Sequence, residues 1–121
     1  MMADVLALVD DLFFQTKIME TAKQTGVEVR TCATPDALLD EMAKAWPKLI
    51  VIDLNAQSRP VEALAKIQSS AQSIPVVAFL SHVQTELARQ AHAAGCRAVM
   101  PRSEFARDLA TILAEVKSEQ R

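Results

Sequence analysis

The sequence is short of cysteine, aromatic residues, net charge and long apolar runs, and each shortage removes a class of protein. Cys32 and Cys96 are the two cysteines, and His82 and His92 the two histidines. They stand at no metal-ligand spacing, so zinc chemistry is not expected. Four Phe, one Trp and no Tyr leave little with which to sandwich a flavin. A net charge of -2 supplies no attraction for nucleic acid or an anionic membrane. No apolar run approaches the roughly 20 residues that span a bilayer. The start, Met1-Met2-Ala3-Asp4, has no basic segment ahead of an apolar one, so a secretory signal is not expected and a cytoplasmic location is.

What the chain does have is apolar sequence that ends in acid. Half of the 121 residues are hydrophobic and 23% are charged, a balance that predicts one globular domain over 1–121 with a core of its own. Val5-Leu6-Ala7-Leu8-Val9 stops at Asp10-Asp11, and Leu49-Ile50-Val51-Ile52 stops at Asp53. Apolar runs without alternation read as parallel strands covered on both faces. If these two strands are neighbours, their carboxyl ends coincide and three carboxylates share a crevice, the place where open α/β sheets take ligands. Clustered like charges repel, so the crevice invites a hard divalent cation such as Mg²⁺. The plainer alternative is that each acid ends a strand and caps a helix. Two strands ending alike favour a site.

The remaining sequence alternates strand and helix five times, the pattern of a doubly wound α/β fold. A first helix carries Phe14, Ile18 and Ala22 on one face and stops at Gly26. Phe13 points away from that face and is expected to pack in or beside the core, the alternative being the mouth of the crevice. Val27 to Cys32 reads as a half-exposed edge strand, and Thr34-Pro35 opens a helix bearing Leu38, Leu39, Met42 and Trp46. The third strand covers about Lys48 to Asp53. Pro60 opens a helix presenting Val61, Leu64, Ala65 and Ile67. The fourth strand is Pro75 to Leu80, Ser81 with Gln84 reads as a capping box, and Gly95 ends the helix that follows. Ala98 to Met100 is a short fifth strand. Ser103 is expected to cap a last helix carrying Phe105, Leu109, Ile112, Leu113 and Val116, ahead of a fraying tail from Ser118. Right-handed crossovers allow the strand order 2-1-3-4-5. That order puts the acid-ended strands side by side, and it puts Cys32 and Cys96 near opposite edges, beyond the roughly 7 Å between Cα atoms that a disulfide tolerates.

Val9-Asp10-Asp11, Ile52-Asp53-Leu54-Asn55, Ile74-Pro75-Val76-Val77, Ala93-Ala94-Gly95-Cys96 and the basic Arg102 together make the whole chain resemble a response-regulator receiver domain of two-component signalling. The resemblance implies a flavodoxin-like five-stranded parallel sheet. It implies that Asp53 accepts a phosphoryl group from a histidine kinase. It further implies that Mg²⁺ is held by Asp10, Asp11 and Asp53 with the main-chain carbonyl of Asn55. Such a module stands alone, acts through contacts with a kinase or another signalling protein, and touches neither nucleic acid nor membrane directly. Its only turnover is gain and loss of its own phosphoryl group, so it is not expected to be an enzyme. The face formed by the fourth helix, fifth strand and fifth helix is the expected contact or homodimer surface.

Three positions depart from that pattern. The family carries Thr or Ser at the end of the fourth strand, where this chain has Leu80, and Ser81 next to it is the candidate hydroxyl if the loop shifts by one residue. The family's lysine is Arg102, a planar fork in place of a point charge, and its proline precedes the basic residue as Pro101. The family's switching aromatic falls on Val99. These departures support the alternative of a pseudo-receiver, a constitutive protein-interaction domain that is not phosphorylated. A flavodoxin-like cofactor binder is disfavoured because Asp10 and Asp11 would repel a phosphate. A phospho-aspartyl hydrolase is disfavoured because its two acids are spaced Asp-x-Asp rather than adjacent.

Overall fold

In a computed structural model, which describes residues 3–57, 59–69, 74–81 and 84–118, strands and helices alternate from end to end. They run β1 (Val5–Leu8), α1 (Leu12–Thr25), β2 (Val29–Cys32), α2 (Pro35–Lys44), β3 (Leu49–Asp53), α3 (Pro60–Gln68), β4 (Val76–Leu80), α4 (Thr85–Ala93), β5 (Ala98–Pro101) and α5 (Arg102–Ser118). His82, Ser58 and the tail 119–121 lie outside the described residues. The five strands form one parallel sheet in the order β2-β1-β3-β4-β5, as the apolar runs and the crossover rule predict. No described helix is long and apolar enough to cross a membrane.

Alternation along each strand divides the core into two layers. Val5, Ala7, Val51, Val77 and Phe79 pack on α1 and α5 through Phe14, Ile18, Phe105 and Leu109. Leu6, Leu8, Ile50, Ile52, Ala78 and Leu80 pack on α2, α3 and α4 through Leu38, Met42, Leu64 and Ala91. Each layer hides fully buried side chains, at about 1.5–3 kcal/mol apiece for a large one. Cys32 and Cys96 are free and buried, on β2 and just ahead of β5 at the two edges. Burial pushes both thiols up to about 11, so neither is a reactive thiolate.

The helix ends follow local chemistry. The Asp11 carboxylate accepts the Phe14 N–H at 3.2 Å and caps α1, which ends on Gly26 at φ +73°. That glycine also leaves room for Lys117, whose Nζ donates to the Gly26 carbonyl at 3.2 Å. A Cβ at Gly26 would stand 2.9 Å from the Nζ. Thr34 accepts the Ala37 N–H at 3.1 Å and Pro35 opens α2. Pro60 opens α3 behind Arg59, whose φ of +59° is the only positive value on a non-glycine residue among those described.

Several boundaries and faces differ from the sequence reading. β2 begins at Val29 rather than Val27, and β5 continues through Pro101. Trp46 is not on α2: the helix stops at Lys44 and the indole is 45% exposed, because a residue preceding proline, here Pro47, is driven out of the α region. In α3 Ala63 joins Leu64 and Ile67 on the inward face, while Ala65 is exposed. Ser81 and Gln84 form no capping box, since α4 has Gln84 at its N-cap and no side-chain cap bond. Ser103 lies inside α5, which starts at Arg102 directly from the strand. Phe13 is 91% exposed. With Phe14 turned into the core, its neighbour one residue earlier is rotated about 100° away from it.

Candidate functional site

The register brings the three acids to one edge of the sheet. Leu8 of β1 lies opposite Ile52 of β3, so Asp10 and Asp11 leave β1 beside Asp53, the last residue of β3. Asp53 in turn pairs with Phe79 of β4. Asp53 is 2% exposed and is the one buried charged residue among those described. Its Oδ1 accepts the Asn55 N–H at 2.9 Å.

Arg102, placed at the start of α5 by the end of β5, reaches across this edge. Its Nη1 donates to Asp11 Oδ2 at 3.5 Å, and its Nη2 to Asp53 Oδ2 and Oδ1 at 3.4 and 3.5 Å. The guanidinium carbon stands 5.4 Å from the Phe14 ring centre and 5.5 Å from that of Phe79. Those rings belong to a cluster in which Phe79 stacks on Phe105 at 4.6 Å and meets Phe14 at 4.9 Å. An arginine plane over aromatic faces is a favourable cation–π arrangement. Burial raises the pKa of the Asp53 carboxyl; the Asn55 N–H and Arg102 pull it down, and the charges of Asp10 and Asp11 push it up again.

The rest of the edge is closed by hydrogen bonds within the chain. Asp10 Oδ2 accepts the Gln57 N–H at 2.9 Å. Asn55 Oδ1 accepts the Ser81 N–H at 2.7 Å, and its amide nitrogen donates to Gln84 Oε1. Ser81 itself is exposed, so its backbone, not a buried hydroxyl, is the part tied to the site. Leu80 is buried in the layer of α2, α3 and α4 and presents no donor. Val99 lines a cleft of about 130 Å³ between β4, β5 and α4, together with Leu80, Thr85 and Ala88.

The donors fit magnesium in kind, since carboxylates and a carbonyl are what it prefers. They do not fit it as arranged. Among the described residues no three acidic, histidine or cysteine side chains are grouped to hold an ion. Arg102 bridges two of the three acids and Gln57 engages the third.

Sequence reasoning found Asp10, Asp11, Asp53, Asn55 and Arg102, all of which the fold gathers at this edge. It missed Gln57 and Gln84, whose roles come from tertiary contacts over loops, and the part played by Phe14 and Phe79 beneath the guanidinium. The spacing of Phe79 at the end of an apolar strand was the available signal for the last.

No protein-family model matches the chain, and no curated protein matches its sequence. Solved structures do resemble it. The receiver domain of NtrX from Brucella abortus superposes with a TM-score of 0.83 at 21% identity, over 97% of this chain and 100% of that one. The chemotaxis response regulator CheY4 of Vibrio cholerae gives 0.81 at 23% identity, over 96% and 99%. The phosphorylated cyanobacterial phytochrome response regulator RcpA gives 0.78 at 19% identity, over 98% and 93%. Against longer NtrX, also from Brucella abortus, the chain spans 28% of that chain's length. Five parallel strands in this order, with helices on both faces and a superposition along nearly the whole chain, are the fold of the response-regulator receiver domains.

Proposed function

We propose that the chain is a receiver-type signal-transduction module in which Asp53 accepts a phosphoryl group from a histidine kinase and protein partners read the result. The observation that carries this reading is the buried Asp53 carboxylate at the carboxyl end of β3, faced by the Arg102 guanidinium at 3.4 Å. In the transfer an Asp53 oxygen bonds to phosphorus as the N–P bond of the donor phosphohistidine breaks, and the nitrogen leaves with the electron pair. Such reactions depend on positioning and on neutralising charge around the phosphoryl oxygens. Asn55 N–H fixes one carboxylate oxygen, and Arg102 supplies positive charge beside the other. Magnesium, if held by Asp10, Asp11, Asp53 and the Asn55 carbonyl, would supply that neutralisation in place of Arg102. The face of α4, β5 and α5, with Thr85, Arg89, His92, Arg97, Glu104 and Asp108, is the partner or homodimer surface in this reading. A cytoplasmic location belongs to it as well.

A second reading is a pseudo-receiver that binds partners constitutively. Buried Leu80 at the position of the family's hydroxyl favours it, as does the bridging Arg102. One experiment separates the two. Incubation with acetyl phosphate or phosphoramidate and Mg²⁺, followed by intact-mass analysis, is expected to show one phosphoryl adduct on the wild type and none on Asp53→Asn. An unmodified wild type leaves the pseudo-receiver.

A further inference from the structure

We infer that Arg102 is the resident counter-cation of the acid crevice, so that a divalent metal ion binds at Asp11 and Asp53 only by displacing its guanidinium. The inference concerns metal affinity alone and stands whether or not Asp53 is ever phosphorylated.

The geometry carries it. One guanidinium spans both carboxylates, Nη1 on Asp11 and Nη2 on Asp53. A planar fork presents separate N–H edges to the two acids, where an ammonium is a compact point charge. The guanidinium carbon stands over the Phe14 and Phe79 rings, a cation–π contact that favours this position. The third acid is not waiting for an ion either, because Asp10 accepts the Gln57 N–H. Asp53 also accepts the Asn55 N–H, and Asp11 accepts the Phe14 N–H as the cap of α1. Every carboxylate of the crevice therefore has a partner from its own chain. Magnesium demands near-ideal octahedral oxygen geometry at about 2.0–2.1 Å and sheds its waters reluctantly. It must break the two ion pairs made by Arg102 before it can use these oxygens. A metal at this edge and the present position of Arg102 exclude one another.

The test is Mg²⁺ affinity by calorimetric titration of the purified full chain, with the backbone amides of Asp53 and Asn55 followed by NMR. Arg102→Gln is expected to tighten binding by about tenfold or more, which is about 1.4 kcal/mol. Arg102→Lys, which keeps the charge on a compact ammonium in place of the fork, is expected to fall between it and the wild type. Lys48 is exposed and precedes β3, at the opposite end of that strand from Asp53. Lys48→Gln removes the same charge from the molecule and is expected to change affinity by less than about twofold, since exposed charges more than a Debye length of about 8–10 Å away are largely screened. Equal affinity in wild type and Arg102→Gln overturns the inference. So does absence of binding in both, or tightening in Lys48→Gln as large as in Arg102→Gln. If Arg102→Gln does not fold by circular dichroism, Arg102→Lys against wild type decides by the same criterion.

Discussion

On the α1 and α5 side of the sheet's carboxyl edge, three phenylalanine rings lie against one another beneath a guanidinium, and α1 is capped at both ends by Asp11 and Gly26. On the α4 and β5 side, α4 buries Ala91 alone, has no side-chain cap, and leaves a cleft of about 130 Å³ beside Val99. All four residues of β5 are only half-buried. The same edge thus has a tightly packed half that holds the charges and a lightly packed half that holds none of them. Local opening draws on regions with few buried contacts, so motion at this edge is expected to begin in α4 and β5.

The contrast is broken most severely at Phe79. Phe79→Ala removes the middle ring of the cluster and is expected to cost about 3–5 kcal/mol. Leu87→Ala, on half-buried α4, should cost about 1 kcal/mol or less, below the range for fully buried leucines. Urea denaturation compares the two, and similar losses would erase the distinction between the halves.

A smaller loss is expected for Asp11→Ala, which takes away both the cap of α1 and one arm of the Arg102 bridge. The cap accounts for about 1 kcal/mol. The ion pair adds little because both partners are more than one-third exposed. The midpoint in urea reads the sum.

Asp53 sharpens the comparison through pH. Burial raises its carboxyl pKa in the folded chain, so the unfolded chain ionises first as pH rises. Stability from this group is present in acid. It is lost between the unfolded carboxyl pKa of about 3.9 and the higher folded value. The wild type should therefore lose stability relative to Asp53→Asn as pH climbs through that window. Denaturation curves for both proteins across the window check the sign, and parallel pH profiles would mean that burial is fully offset by Arg102 and Asn55.

Much of this architecture was legible in the residues. Unalternating runs announced β1, β3 and β4. Thr34-Pro35 and Pro60 marked two helix starts, and Gly26 marked a helix stop. The acids at two strand ends pointed to the crevice. What escaped the reading had physical causes that local pattern does not carry. Pro47 acts backward on Trp46, ending α2 early. Phe13 is as apolar as Phe14, yet it falls off the narrow stripe of Phe14, Ile18 and Ala22 that α1 turns inward. Ser103 carries the right chemistry for a cap, but the chain passes from Pro101 straight into α5 and leaves it no capping position. The Ser81 and Gln84 pair was drawn away by Asn55, a partner distant in sequence.

Asn55 stands two residues after the acid, and its amide clasps both Ser81 and Gln84. The connection leaving β3 and the one leaving β4 are thereby joined through a single side chain, which ties the backbone two residues beyond Asp53 to the N-cap of α4 without calling on a hydroxyl at position 80.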